Sequence, residues 1–380
     1  MKIKSLIVLF VLTSFYCTSY AKGESKRYSV TGTFNGIETG SISIYGSTIE
    51  KTIEIKDGKF FMEGELDEPQ FLLLLVSNKA ERISGDSRMR IFLDDSDIQV
   101  KAGFDKWGSV IAKVTNGKLH AQYEKQLKTF SILDSIGMTK SHRDVARLKG
   151  EFEKAELLDK KYLGQGQEFL DILGKTKGWK NSVTFANIMT DNFYSLPLKV
   201  AKKVRKKFDK QLESSFYVKK MDKYMAGKIN VQVGKKVPDF KFKDEHGKVY
   251  TRDDFKGKTI LIDFGNYYCH FCVKEVPYVV KMSQKYKDKG LVLLSVSVDS
   301  ESLVKKDHER LSKYISKHKY DVNRYALSPL SPEENNNTAF SFGIDGYPYI
   351  LMVNEKGVIV GTDLRSKYLE REIDNYFAKK

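Results

Sequence analysis

Two cysteines three residues apart, in the run Cys269-His270-Phe271-Cys272, are the side chains of this sequence best suited to chemistry. They follow the apolar stretch Thr259 to Phe264 and open a segment with helical spacing, so the pair is expected at a strand-to-helix turn. Unpaired N–H groups and the positive dipole end at a helix N-terminus stabilise a thiolate. Cys269 is therefore predicted to have a depressed pKa and to act as a nucleophile. Cys272, within one helical turn, can attack the mixed disulfide formed at Cys269, release the reduced substrate and close a Cys269–Cys272 disulfide. That chemistry is thiol–disulfide exchange. A cationic His270 beside Cys269 would strengthen the thiolate and push the pair toward the oxidising end, whereas a neutral one would do so less. The sequence leaves the potential open.

Two carboxylates belong with the sulfurs. Asp263 is an acid inside an otherwise apolar strand, six residues before Cys269, where a carboxyl needs a partner or a raised pKa. Glu275 lies one helical turn beyond Cys272 and can point back toward its sulfur. Either carboxylate can accept the Cys272 proton at the resolving step. Two other uses of the pair weigh less. Tetrahedral zinc needs four ligands, and the remaining histidines (His120, His142, His246, His308, His318) show no ligand spacing around this site. A purely structural bridge across one turn closes almost no loop and gains little chain entropy. No metal and no cofactor is expected.

The elements that must position these residues fall into blocks. From Tyr28 to Thr115 hydrophobicity alternates with period two, as in Ser41-Ile42-Ser43-Ile44-Tyr45, and Asp57-Gly58 marks a tight hairpin. Residues 22–118 are thus expected to form a sandwich or partial barrel. Residues 119–230 change to helical spacing, with stripes at Tyr123, Leu127, Phe130, at Val145, Leu148, Phe152, and at Val204, Phe208, Leu212, Phe216, the last with Ser195 as a cap before Pro197. Residues 233–380 hold five of the seven prolines and alternate strands with helices, which predicts an α/β sheet covered on both faces. The expected architecture is multi-domain: an all-β module, a helical section and a C-terminal α/β domain.

Lys2, Lys4 and the apolar run Ser5 to Phe15, followed by Ser19-Tyr20-Ala21, read as an export signal over residues 1–21. Cys17 offers lipid anchoring as an alternative, although Tyr16 is large for the residue preceding a lipidated cysteine. If the signal leaves after Ala21, Cys269 and Cys272 are the cysteines that remain, in an oxidising compartment such as a periplasm. The formal charge of +16 does not by itself select a partner. Residues 121–230 carry 23 Lys/Arg against 13 Asp/Glu, and the densest stretch, 199–228, has 11 against 3. Base-stacking aromatics and a recognition helix are missing beside these charges, so nucleic acid is not expected. A solvated face able to meet an anionic membrane surface is.

The section from Gly234 to Tyr376 resembles the TlpA/ResA group of exported thioredoxin-like proteins. The residues carrying the resemblance are Val237-Pro238-Asp239-Phe240, Phe255-Lys256-Gly257-Lys258, Ile262-Asp263-Phe264, the CxxC, Glu275-Val276-Pro277, and Gly343-Ile344-Asp345-Gly346-Tyr347-Pro348. The resemblance implies a thioredoxin-like fold, with Pro348 cis and facing the disulfide, and the backbone of Tyr347 pairing the substrate as an added strand. It matches Glu275 to the acid that group places after its second cysteine, and Asp263 to the buried acid of thioredoxins. Tyr268 stands where a tryptophan is usual, Gly265 replaces another, and His270-Phe271 lacks a proline. These departures bear on potential and substrate, and put Tyr268 and His270 beside Tyr347 and Pro348 as substrate-contacting candidates. Residues 28–230 resemble the uncharacterised β-domain and helical segment often found ahead of such domains. The expected partners are cysteine-containing envelope proteins and a membrane or periplasmic electron donor. The alternatives are a non-catalytic binding protein on a thioredoxin-like scaffold and a thiol peroxidase, the latter opposed by Asn266 where peroxiredoxins carry a threonine.

Overall fold

The computed structural model describes residues 25–80 and 82–380; the expected signal segment 1–21, with Cys17, lies outside them. The chain divides into two compact units. One contains the chain up to Gln126 with Gly178–Phe185 and Phe208–Ser215, and the other contains Leu127–Lys177, Ala186–Lys207 and Phe216–Lys380.

The first unit is built on eight strands: β1 (Lys26–Phe34), β2 (Thr39–Tyr45), β3 (Glu50–Lys56), β4 (Lys59–Leu66), β5 (Gln70–Asn78), β6 (Arg88–Leu93), β7 (Asp97–Phe104) and β8 (Val110–Thr115). Their order is β6-β5-β2-β3-β4-β1-β7-β8. Asp57 and Gly58 both have positive φ, 48° and 66°, as the tight hairpin requires. Beyond that turn β3 and β4 pair only at Lys56 and Lys59, while β4 runs along β1 for eight positions. The sheet therefore opens at this hairpin into two halves that enclose one core, including Val30, Ile42, Ile44, Leu72, Leu74 and Ile91. Alternation drives the layering: β1 and β2 bury every second residue, which removes one apolar face from water.

Helices α1 (Lys118–Thr129), α2 (Ile132–Lys149), α3 (Phe152–Lys175), α4 (Val183–Asp191), α5 (Leu198–Arg205) and α6 (Phe216–Asn230) follow. The helical section is continuous in sequence but is shared between the two units. Two of its expected stripes are broken. Gly150, left-handed at φ 80°, ends α2 between Leu148 and Phe152. The stripe from Val204 to Phe216 spans the end of α5, a short 3₁₀ turn at Lys210–Leu212 and the start of α6. Ser195 does not cap α5, because that helix begins after Pro197, whose ring already fixes a helix-compatible φ.

The second unit carries the seven-stranded sheet: β9 (Lys241–Lys243), β10 (Val249–Thr251), β11 (Thr259–Gly265), β12 (Leu291–Ser297), β13 (Arg324–Pro329), β14 (Tyr349–Val353) and β15 (Ile359–Gly361), ordered β10-β9-β13-β12-β11-β14-β15. Strands β11, β12 and β13 are parallel, and β14 runs antiparallel to β11. Helices α7 (His270–Lys285), α8 (Glu301–Lys317), α9 (Pro332–Ser341) and α10 (Ser366–Ala378) complete it. Ile260, Ile262 and Phe264 face a core with Phe240, Phe242 and Phe342. Leu261 faces the opposite core with Val279, Met282, Leu369 and Ile373 of α7 and α10. Alternation puts Asp263 on that second face.

Candidate active site

The central strand β11 ends at Gly265, and four residues later Cys269 occupies the N-cap position of α7. Its Sγ accepts the backbone N–H of Cys272 at 3.0 Å. The cysteines form a disulfide, with Cα atoms 5.2 Å apart. An N–H aimed at this sulfur, together with the helix dipole, stabilises negative charge there once the bond is opened. Cys272 lies against the strand end: a Cβ on Gly265 would meet its Sγ at 3.3 Å. The glycine thus lets the Cys272 sulfur sit close against the strand end. Ser297, paired with Gly265 across β11 and β12, has a buried hydroxyl without a protein partner.

The loop before Cys269 is tied down by residues that carried no sequence signal. Tyr267 N–H donates to Asp299 Oδ2 at 2.6 Å, and Arg310 Nη1 donates to Tyr267 O at 2.7 Å while its guanidinium lies over the Tyr267 ring. Arg310 is paired in turn with Asp307. Around the disulfide Tyr268, Phe271 and Val273 are exposed, Tyr268 to 77% and Phe271 to 65%. His270 is also exposed and packs edge-on to Phe271.

Asp263 sits in the β11 interior opposite Ser295 of β12 and Ile350 of β14. Burial pushes its carboxyl up to about 7, with Asp307 and Glu275 adding to the shift and Arg324 opposing it. Arg324, from β13, donates from Nε to Ser295 Oγ at 3.1 Å and from Nη1 to Ser312 Oγ at 3.0 Å, with Nη2 3.2 Å from His308 Nδ1. His308 Nε2 lies 3.1 Å from Leu327 O. Neutral His308 satisfies both contacts with its proton on Nε2, and burial with the neighbouring Arg324 lowers its pKa to about 4. Asp263 thus lies beside Ser295, which holds the half-buried Arg324, and its carboxyl is poised to gain or lose a proton near neutrality.

Glu275 is buried, but its oxygens turn to the start of α10: Ser366 N donates to Oε2 and Ser366 Oγ to Oε1, each at 2.6 Å. Burial raises its pKa against the pull of those two bonds. The expectation that it reaches back to the Cys272 sulfur thus meets a different arrangement, because the exposed-end N–H of a helix is the stronger attraction for a carboxylate. Its charge is still felt at Asp263.

The Tyr347–Pro348 peptide bond is cis, as the resemblance implies. Tyr349 pairs with Phe264, so Pro348 comes next to the end of β11, from which the CxxC loop departs. Pro348 is buried and Tyr347 half-buried. The structure thus gathers Cys269, Cys272, Asp263, Tyr347 and Pro348 at one end of β11 and β14, with Tyr268 and His270 on the exposed rim.

Residues 232–378 match the family model described as Redoxin, and residues 28–123 match a domain of unknown function, DUF4369. Among curated relatives, thiol-disulfide oxidoreductase ResA of Bacillus thuringiensis (strain Al Hakam) is 25% identical over 157 residues, 41% of this chain and 83% of its own. Thioredoxin-like protein YneN of Bacillus subtilis (strain 168) is 28% identical over 155 residues, 40% of this chain and 84% of its own. The solved thioredoxin domain of thiol-disulfide oxidoreductase BVU-2223 from Bacteroides vulgatus is 30% identical, covering 38% of this chain and 97% of that one, with a TM-score of 0.32. The C-terminal region is thus a redoxin domain, and the chain is TlpA/ResA-like, similar to thiol–disulfide oxidoreductases.

Proposed function

We propose that the chain is an exported oxidoreductase that reduces or rearranges disulfides of envelope proteins through Cys269 and Cys272. The observation that carries this reading is the Cys269 sulfur at the N-cap of α7, bonded by the Cys272 N–H. In the reduced form the Cys269 thiolate attacks one sulfur of a substrate disulfide, whose other sulfur leaves as a thiolate and takes a proton. Cys272 then loses its proton to Asp263, directly or through one water, and attacks Cys269 Sγ; the second substrate sulfur leaves. Substrate gains two electrons and two protons, and the enzyme holds a disulfide that a dithiol donor must reduce. The exposed Tyr268 and Phe271 offer an apolar rim to a partly unfolded chain, and the backbone at Tyr347 offers strand pairing.

The N-terminal residues 1–21 support export, and among the described residues no helix is long and apolar enough to cross a membrane. The basic stretch is partly consumed inside the fold: Arg205 pairs with Asp222, and Lys220 and Lys223 lie over aromatic rings. Lys203, Lys206 and Lys207 are exposed and remain the proposed contact with an anionic membrane surface.

Replacing Cys272 by Ser should trap mixed disulfides through Cys269 when the variant is expressed in its own cell envelope. If that variant captures nothing and Cys269→Ser behaves as wild type, the reading fails.

A further inference from the structure

The end of α6, ahead of the redoxin match that begins at residue 232, is built into the loop that carries Tyr347 and Pro348. Gly227 of α6 and Gly343 lie backbone to backbone: a Cβ on Gly227 would fall 2.1 Å from Phe340 O and 2.8 Å from Gly343 Cα. Gly343 itself has φ 58°, so the approach demands glycine at both positions. One turn earlier Tyr224 stacks on Phe340, with ring centres 5.8 Å apart. Lys228, the residue after Gly227, brings its ammonium among groups of this loop. Its Nζ is 3.8 Å from Asp345, 4.9 Å from the centre of the Tyr194 ring and 5.6 Å from that of Tyr349. Asp345 and Tyr349 bracket Tyr347 and Pro348 in sequence. A single cation therefore holds both ends of the segment proposed to pair with substrate.

Burial works against the charge on Lys228, and two carboxylates offset that cost in part. Asp345 and Asp363 attract Lys228, Lys140 of α2 and Arg365 repel it, and burial lowers its pKa. Asp363 in turn pairs with Arg365, next to the Ser366 that binds Glu275. The long apolar stem reaches across aromatic rings while the ammonium meets the carboxylate, a combination a shorter or uncharged side chain does not reproduce.

We propose that Lys228 is a positioning residue for substrate binding, through which the helical segment fixes the Tyr347–Pro348 loop. Its effect is on protein substrates that pair with the loop backbone and not on thiol chemistry itself. The inference rests on the exchange reading above. The test uses the full chain, reduced beforehand, in single turnovers with insulin as the protein disulfide and with a small aryl disulfide that has no backbone to pair. Lys228→Met should raise the half-saturating insulin concentration about tenfold while the aryl disulfide rate stays within about twofold. Lys228→Arg should recover most of the insulin effect, and Lys228→Met with Asp345→Asn should be no worse than Lys228→Met alone. Parallel losses on both substrates, or an unchanged insulin dependence in a folded Lys228→Met chain, overturn the proposal. A wild-type chain that reduces neither disulfide overturns the exchange reading instead, and this inference with it.

Discussion

The two units of this protein use polar side chains in opposite ways. In the β-module they serve turns and helix ends: Asp94 accepts Ser96 N and Leu119 N at 3.0 and 2.7 Å, and Asp105 accepts Trp107 N and Ser109 N at 2.8 and 2.9 Å. Each satisfies backbone groups that would otherwise be orphaned. In the redox unit charged and hydroxyl groups lie on the central strands themselves, where Asp263, Ser295, Ser297 and Arg324 stand buried or half-buried in place of apolar side chains. Burying them costs stability, which fits the proposal that the site uses them. The comparison separates polar residues that hold a fold from polar residues that a fold holds.

Asp263 gives the sharpest way to break that contrast. Asp263→Asn should slow the resolving attack of Cys272 about 100-fold at pH 7 while leaving the first attack by Cys269 within about threefold, as for loss of a proton acceptor. Stopped-flow mixing with a disulfide substrate separates the two steps. In the wild type the resolving rate should climb through about pH 7, where Asp263 ionises, and the variant should lose that step. Equal rates in both proteins would remove Asp263 from the mechanism.

The same substitution should have the opposite effect on stability. A carboxyl whose pKa rises on folding binds its proton more tightly in the native state, so the fold is penalised above the unfolded value of about 3.9, and the penalty grows until about 7. Asp263→Asn should therefore stabilise the chain by about 2 kcal/mol at pH 8, less than the full shift implies because Arg324 loses a counter-charge. The gain should vanish as the pH falls to about 4. Asp94→Ala in the β-module should act the other way, costing about 1 to 2 kcal/mol through two unsatisfied N–H groups, with single-turnover rates unchanged. Denaturant titrations across pH distinguish the two. A stabilised Asp94→Ala chain, or an Asp263→Asn chain destabilised at every pH, would erase the difference between the units.

Much of the redox centre was legible because its signals are local. The CxxC follows an apolar strand and opens a helix, Asp263 interrupts that strand, and Asp57-Gly58 admits the positive φ a two-residue hairpin needs. The residues that hold the centre were not legible, because their partners are distant in sequence. Asp299 and Arg310 meet at Tyr267 from 32 and 43 positions away, and Arg324 with His308 reads on sequence as ordinary surface charge. The strand at Arg324–Pro329 likewise depends on distant partners: parallel β12 and antiparallel β9 pair with it. Helical spacing also misleads where the chain breaks, since Gly150 and the 3₁₀ turn at Lys210–Leu212 divide apolar stripes that look continuous. Glu275 had the right neighbourhood and a different partner, as Ser366 lies 91 residues away.

The most direct test of the central claim is the pH dependence of alkylation of each cysteine in the reduced full-length protein, followed by peptide mass spectrometry. If the α7 N-terminus activates Cys269, it should react first and with a midpoint at least about one unit below the ordinary thiol value of about 8.5, while Cys272 against Gly265 stays protected. Equal reactivity of the two cysteines, with both midpoints near the ordinary value, would contradict the account.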